Sequence, residues 1–179
     1  MKTIKNAKIL IVGIGGLGTP AADLLTRAGV GEIGIIDYDK INLSNIHRQT
    51  LFTTHDIGKF KVKIAKKKLN LINNDVKINI YNQKADEKIL KKIIKKYEII
   101  IDGSDNFKTK FLLNKISLEY KKILIVGAIS KFDGHIFAFK FSEKKSPCLK
   151  CFYQTEPSDE ILNCEAEGIV GSTSNIVGA

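Results

Sequence analysis

The sequence predicts an α/β fold: an open, mainly parallel sheet with helices on both faces and antiparallel strands toward the C-terminus. Three observations carry this. Short apolar runs rich in Ile and Val alternate with segments of helical periodicity. The first run passes directly into the glycine turn "GIGGLG" (13–18), which opens a helix in the Rossmann-like manner. The last run, "GHIFAFKF" (134–141), alternates in character, as an antiparallel strand does.

The elements follow in order. "AKILIVG" (7–13) reads as a buried strand ending in glycine. "LGTPAADLLTRAG" (17–29) has helical spacing at Leu17, Ala21, Leu24, Leu25 and Ala28, with Gly29 as its stop. "EIGIIDYD" (32–39) is a second strand ending in acids, and residues 42–58 are polar and irregular. "KFKVKIAKKKLNLIN" (59–73) places Val62, Ala65, Leu69 and Ile72 on one helical face. Strands are expected at 76–82, 98–103 and 122–129, and helices at 86–97 and 106–120. The final "EGIVGSTSNIVGA" reads as a loop entering an apolar helix that stops without a cap.

At 179 residues the chain suits one domain, 1–179. A chain of this size buries roughly 70% of its unfolded surface, enough for a real core. Its 44% hydrophobic and 27% charged content are ordinary for a globular protein. No apolar run reaches the length of a membrane span, and "MKTIKNAKILIVG" is too short in its apolar part for a signal peptide. A cytoplasmic setting is expected, which also suits three cysteines of which two form a C-x-x-C. The net charge of +10 first suggests nucleic acid. The lysines are spread over several helices, however, and the few aromatics do not interleave with them. A lysine-rich surface is the favoured reading, and such a surface also suits an acidic protein partner.

The glycine turn is the first chemical motif. Gly13 and Gly15 allow a tight turn and close backbone approach to a phosphate, and Gly18 lets helix and strand pack. Asp37, at the end of the second strand, is placed to accept hydrogen bonds from ribose hydroxyls. These alone would suggest a dinucleotide. Asn45 and Arg48 in "NLSNIHRQT" (42–50), Lys61 in "GKFK", and Asp105 in "DGSDN" point elsewhere. Two cations and an acid at strand ends suit a triphosphate with magnesium, and would be excessive around an uncharged nicotinamide. Each has a plainer alternative. Lys61 taken singly reads as solvent-exposed, Asp105 or Asp102 could cap the helix near Asn106, and Arg48 could pair with a surface acid. Arg48 is one of only two arginines in the chain.

The run "GIGGLG…GVGEIGIIDYDKINLSNIHRQTLF…DIGKFKV", with "DGSDNFKTKFLLN", "PCLKC" and "NCEAEGIVG", resembles the ThiF/MoeB/HesA adenylyltransferases, relatives of ubiquitin-activating enzymes. The resemblance covers nearly the whole chain. It implies that the glycine loop, Gly16 included, and Asp37 bind ATP. It implies phosphate contacts from the S-N-x-x-R block of Ser44, Asn45 and Arg48, and from Lys61. It implies that Asp105 holds a catalytic Mg2+ with Asn106 beside it. The implied reaction is attack on the α-phosphate of ATP by the C-terminal Gly-Gly carboxylate of a small ubiquitin-like sulfur-carrier protein, in a molybdopterin or thiazole type pathway. The residue chemistry agrees. A carboxylate nucleophile needs no general base, and the obstacle is an anion approaching a polyanion, which Arg48, Lys61 and a metal on Asp105 would neutralise.

The resemblance also implies that Cys148 and Cys151 are half of a Zn2+ site, and that Cys164 matches a cysteine that in some relatives links covalently to the small protein. The partner C-x-x-C of the family is absent from the chain. Family members usually carry an R-Y-x-R-Q segment whose arginine reaches the partner subunit's ATP; here Met1 stands directly before the first strand. Truncation at both ends, a crossover loop at about 142–170, and a homodimer in the full-length form are therefore the expectations. Two alternatives stand beside the main reading: a tRNA-modifying relative that adenylates a nucleoside carboxylate, and a non-catalytic module that docks a ubiquitin-like protein.

Overall fold

The computed structural model describes residues 2–130, 132–143, 146–153, 155, 157 and 170–179. Cys164 and most of the expected crossover loop lie outside the described residues.

Six strands form one sheet in the order β3-β2-β1-β4-β5-β6. They are β1 (Lys8–Val12), β2 (Glu32–Ile36), β3 (Lys77–Tyr81), β4 (Ile99–Asp102), β5 (Ile123–Ser130) and β6 (Asp133–Lys140). The first five run parallel, and β6 returns antiparallel along β5 in register Ile123 to Lys140. The chain thus moves outward from β1 to β3, then crosses back to place β4 on the other side of β1. That reversal opens a crevice at the C-terminal ends of β1 and β4, where α/β sheets take ligands.

The helices are α1 (Lys2–Asn6), α2 (Gly18–Arg27), α3 (Lys61–Ile72), α4 (Glu87–Ile93), α5 (Phe107–Glu119), α6 (Leu149–Phe152) and α7 (Gly171–Gly178). Strand residues alternate between two cores. Leu10, Val12, Ile36 and Ile100 face one side, with Leu90, Ile94, Phe111 and Ile116. Ile9, Ile11, Ile33 and Ile35 face the other, with Ala22, Val62, Ala65 and Leu69. Each cluster excludes water from one face of the sheet, the main favourable contribution to folding.

Two sequence expectations shift in detail. The stripe Leu17, Ala21, Leu24, Leu25, Ala28 is only part of the buried face of α2. Ala21 is buried and Leu25 packs on the core, but Leu24 and Ala28 are exposed, and Gly18, Thr19, Pro20, Ala22 and Thr26 make up the rest of the buried face. Small residues let α2 approach both the sheet and α7, so close contact displaces the larger side chains outward. The one-turn helix α1 was not expected from the sequence. Its Ile4 carbonyl accepts from Ala7 N and Gly31 N, at 3.1 and 3.2 Å, so the contact with the α2–β2 turn holds it.

Candidate functional site

The glycine turn starts where β1 ends. Gly13 has φ +87°, and a Cβ there would lie 2.8 Å from the Gly103 carbonyl oxygen. The turns after β1 and β4 therefore meet back to back, which only glycine permits. Gly18 is buried beneath this contact, where it serves helix–strand packing and does not line the crevice. The crevice has a volume of about 1270 Å³. Gly13, Gly15 and Gly16 form one wall; Asp37, Asn45, Arg48 and Lys61 form a second; Asp105 and Asn106 form a third. The structure thus brings these nine residues together. Ser44 does not line the crevice and is exposed.

Asp37 fixes the glycine loop to β2. Its Oδ2 accepts from Ile14 N at 2.9 Å and its Oδ1 from Asp39 N at 2.8 Å. Burial pushes its carboxyl above the usual carboxylate range, while Lys61 and these two N–H groups oppose the rise. Each oxygen keeps a lone pair for a ligand hydroxyl.

The irregular stretch 42–58 contains two 3-10 turns, Leu43–Asn45 and Thr54–Asp56. Asn42 caps the first, its Oδ1 accepting from Ser44 N at 3.1 Å. The turn sets up Arg48. Its Nη2 donates to Asn45 Oδ1 at 2.8 Å, and its Nη1 to the Ser44 carbonyl at 3.2 Å and to His47 Nε2 at 2.8 Å. Among the described residues Arg48 pairs with no acid; neutral oxygens and a ring nitrogen aim it. Ser44 contributes through its carbonyl.

Lys61 opens α3 and is buried, contrary to the plain reading of one lysine among many. Its Nζ donates to Asp39 Oδ2 at 2.9 Å. On the third wall the cap of α5 is Asn106, whose Oδ1 accepts from Thr109 N at 2.9 Å. Asp105 is not the cap. It is exposed, accepts from Asn106 Nδ2 at 3.1 Å, and has no lysine or arginine partner among the described residues. Asp102 is not the cap either. Its carboxylate is buried against Lys110 and accepts from Ser104 N and Ser104 Oγ at 2.9 and 2.6 Å.

Four further residues of the crevice were missed from the sequence: Asp39, Gln49, Lys110 and Ser174. Lys110 had a readable signal, since it shares the helical stripe of Phe107, Phe111 and Asn114. Ser174 had none, because α7 reaches the glycine loop from far along the chain. Its Oγ occupies the space that a Cβ on Gly16 would need.

Cys148 and Cys151 lie with their sulfurs 3.8 Å apart. Burial pushes the Cys148 thiol up, but the backbone N–H groups of Cys151 and Lys150 outweigh it and hold the thiol below its usual range. Among the described residues no further His, Cys, Asp or Glu completes a metal-binding group with them. No helix among the described residues is long and apolar enough to cross a membrane.

Fold and site together define an α/β domain with a crevice at the sheet's switch point, lined by a glycine loop, acids and cations. The chain belongs to the ThiF family, whose model matches residues 1–179. It is 34% identical over 180 residues to a sulfur carrier protein adenylyltransferase of Thermus thermophilus, covering 98% of this chain and 66% of that protein. It is 39% identical over 176 residues to the adenylyltransferase and sulfurtransferase UBA4 of Debaryomyces hansenii, covering 98% of this chain and 39% of that protein. The chain thus spans less than two thirds of the length of these curated relatives. The crystal structure of E. coli MccB with ATP superposes with a TM-score of 0.84 at 24% identity, covering 99% of this chain and 54% of that one, and supports the fold.

Proposed function

We propose that this domain adenylates the C-terminal Gly-Gly carboxylate of a small ubiquitin-like sulfur-carrier protein. The carboxylate oxygen bonds to the α-phosphorus of ATP, the bond to the bridging oxygen breaks, and pyrophosphate leaves with that oxygen. The observation that carries the reading is the joint placement of Arg48, Lys61 and Asp105 around the glycine loop in one crevice. Gly13, Gly15 and Gly16 offer backbone to the phosphates, and Asp37 accepts from the ribose. Arg48 and Lys61 lower the repulsion between two anions, which is the main barrier to this transfer. Asn45 acts by aiming Arg48.

Asp105 fits magnesium: it is an exposed carboxylate without a cationic partner among the described residues, and Mg2+ usually binds through one or two carboxylates plus substrate phosphates. When bound, the ion would shield the triphosphate charge.

The finer parts of the reading follow the family resemblance. The carrier serves a molybdopterin or thiazole type pathway in the cytoplasm, and the working enzyme is a homodimer. Cys148 and Cys151 supply half of a four-ligand zinc site, with the other ligands coming from a further pair of cysteines. Cys164 is the candidate for a covalent link to the carrier.

The test is ATP–pyrophosphate exchange with Gly-Gly-ended carrier proteins. Exchange that requires both the carrier and its terminal glycine supports the reading, and no exchange with any such carrier refutes it.

A further inference from the structure

The geometry points to Asp39 as the positioning residue that holds the Lys61 ammonium in the crevice, ready for the polyphosphate. This rests on the adenylation reading above and deepens it.

Lys61 is one of two buried lysines among the described residues, with Lys110. Its side chain is 6% exposed, at a position where an ammonium is costly to bury without a partner. Asp39 is that partner and holds Lys61 twice. Its Oδ2 accepts from Lys61 Nζ at 2.9 Å, and its carbonyl accepts from Lys61 N at 3.0 Å. The support beneath is stiff. Lys40 and Phe60 form an antiparallel bridge, Ile41 N donates to the Lys59 carbonyl, and Gly58 N donates to the Ile41 carbonyl. Asp39 N in turn donates to Asp37 Oδ1, which ties the lysine clamp to the residue that anchors the glycine loop.

Asp39 differs from Asp37 in exposure. Its side chain is 46% exposed and lines the crevice, so a ligand can approach without unfolding anything. Asp37, Asp39, Arg48 and Asp105 line the crevice with Lys61. Tyr38 shares this field: its phenol is pushed up first by Asp39, then by burial, Asp105 and Asp37. An acid facing a polyanion has a cost in repulsion. Its return is orientation, because a lysine has four rotatable bonds and an unheld ammonium must be ordered when the phosphate binds. With Asp39 in place that ordering is complete before ATP arrives.

The test is a double-mutant cycle on ATP–pyrophosphate exchange and on ATP affinity by calorimetry, using Asp39→Asn, Lys61→Met, the pair together, and Asp39→Glu. Asp39→Asn should lower kcat/KM for ATP about tenfold, with ATP affinity falling in parallel. Asp39→Glu should recover most of it. Adding Asp39→Asn to Lys61→Met should change nothing further, since coupled residues are not additive. Unchanged kinetics and affinity in Asp39→Asn, or losses that multiply in the double variant, would overturn the inference. Should the parent bind ATP and yet exchange nothing, the adenylation reading fails, while the affinity cycle still decides the role of Asp39.

Discussion

Lys110 Nζ lies 3.2 Å from Asp102 Oδ2, and the two side chains are 2% and 0% exposed. The same ammonium donates to the carbonyls of Ser104 at 2.8 Å and Gly127 at 2.7 Å. One lysine thus ties the end of β4, the turn before Asp105, and β5. Its three protons are all satisfied, so it has none to spare for a ligand. Removing one partner of a buried pair strands the other charge, and Lys110→Met should cost about 3–5 kcal/mol. Urea unfolding reads this directly. Adding Asp102→Asn should recover part of the loss, because no net charge then remains buried.

Gly16 faces Ser174 of α7, and the Ser174 Oγ leaves no room between them for a methyl group. Arg48 Cγ lies 3.4 Å from the same point. Gly16→Ala should therefore push α7 from the glycine loop, lower the melting temperature by several degrees, and weaken ATP binding. Combining it with Ser174→Ala removes the clashing oxygen and should restore much of the stability. Thermal melts of the two variants check this, and an equal loss in both would rule out the contact as the cause.

The strands were legible because each is a short apolar run closed by glycine, acid or turn residues, and the switch point followed from their order. The residues that line the crevice were legible as residue types at strand ends. Their partners were not. That Asp39 clamps Lys61, or that Asn45 aims Arg48, depends on how the 42–58 loop folds back on α3, and sequence spacing says little about irregular backbone. The helix α1 is five residues long, below any length at which propensity decides, and exists through its contact with Gly31. Lys110 was passed over for the opposite reason: a lysine reads as surface unless its position on the helical stripe is weighed.

Asp56 connects acidity to the site. It closes a capping box with Thr53 and bonds Lys68 of α3, so it pins the loop carrying Arg48 to the helix carrying Lys61. Burial alone would push its carboxyl up. The bonds from Lys68 and Thr53 outweigh that and bring it down to about 2. The folded value lies below the unfolded one near 3.8, so the stabilisation is present above pH 4 and is lost as pH falls toward 2. It amounts to about 2 kcal/mol. Thr53→Val or Lys68→Met should flatten the acid limb of stability between pH 4 and 2. An unchanged limb in both would place the acid sensitivity elsewhere.

Arg48 and Asp105 should separate in a variant test, because on the proposed reading Arg48 would face the phosphates directly and Asp105 would act through a metal ion. Arg48→Lys keeps the charge but loses the planar fork that bonds Asn45 and the Ser44 carbonyl together. A lysine there is unaimed, so exchange should fall at least tenfold, an effect of about 1.4 kcal/mol on the transition state. Its magnesium dependence should stay that of the parent.

Asp105→Ala removes an exposed carboxylate whose recorded bond is to the neighbouring Asn106, so folding stability should change by no more than about 0.5 kcal/mol. The consequence is chemical. On the proposed reading Asp105 would hold the metal that shields the triphosphate charge, and the alanine variant would lose that carboxylate beside Arg48 and Lys61. Exchange should fall on the order of a hundredfold, comparable with losing one aligned electrostatic group from an active site. The magnesium concentration for half-maximal rate should rise with it. Metal titrations of the two variants distinguish the roles: a shifted magnesium requirement in Asp105→Ala alone supports Asp105 as the metal residue. The same shift in Arg48→Lys, or none in either, would remove Asp105 from that role and leave the two cations as the charge-neutralising groups.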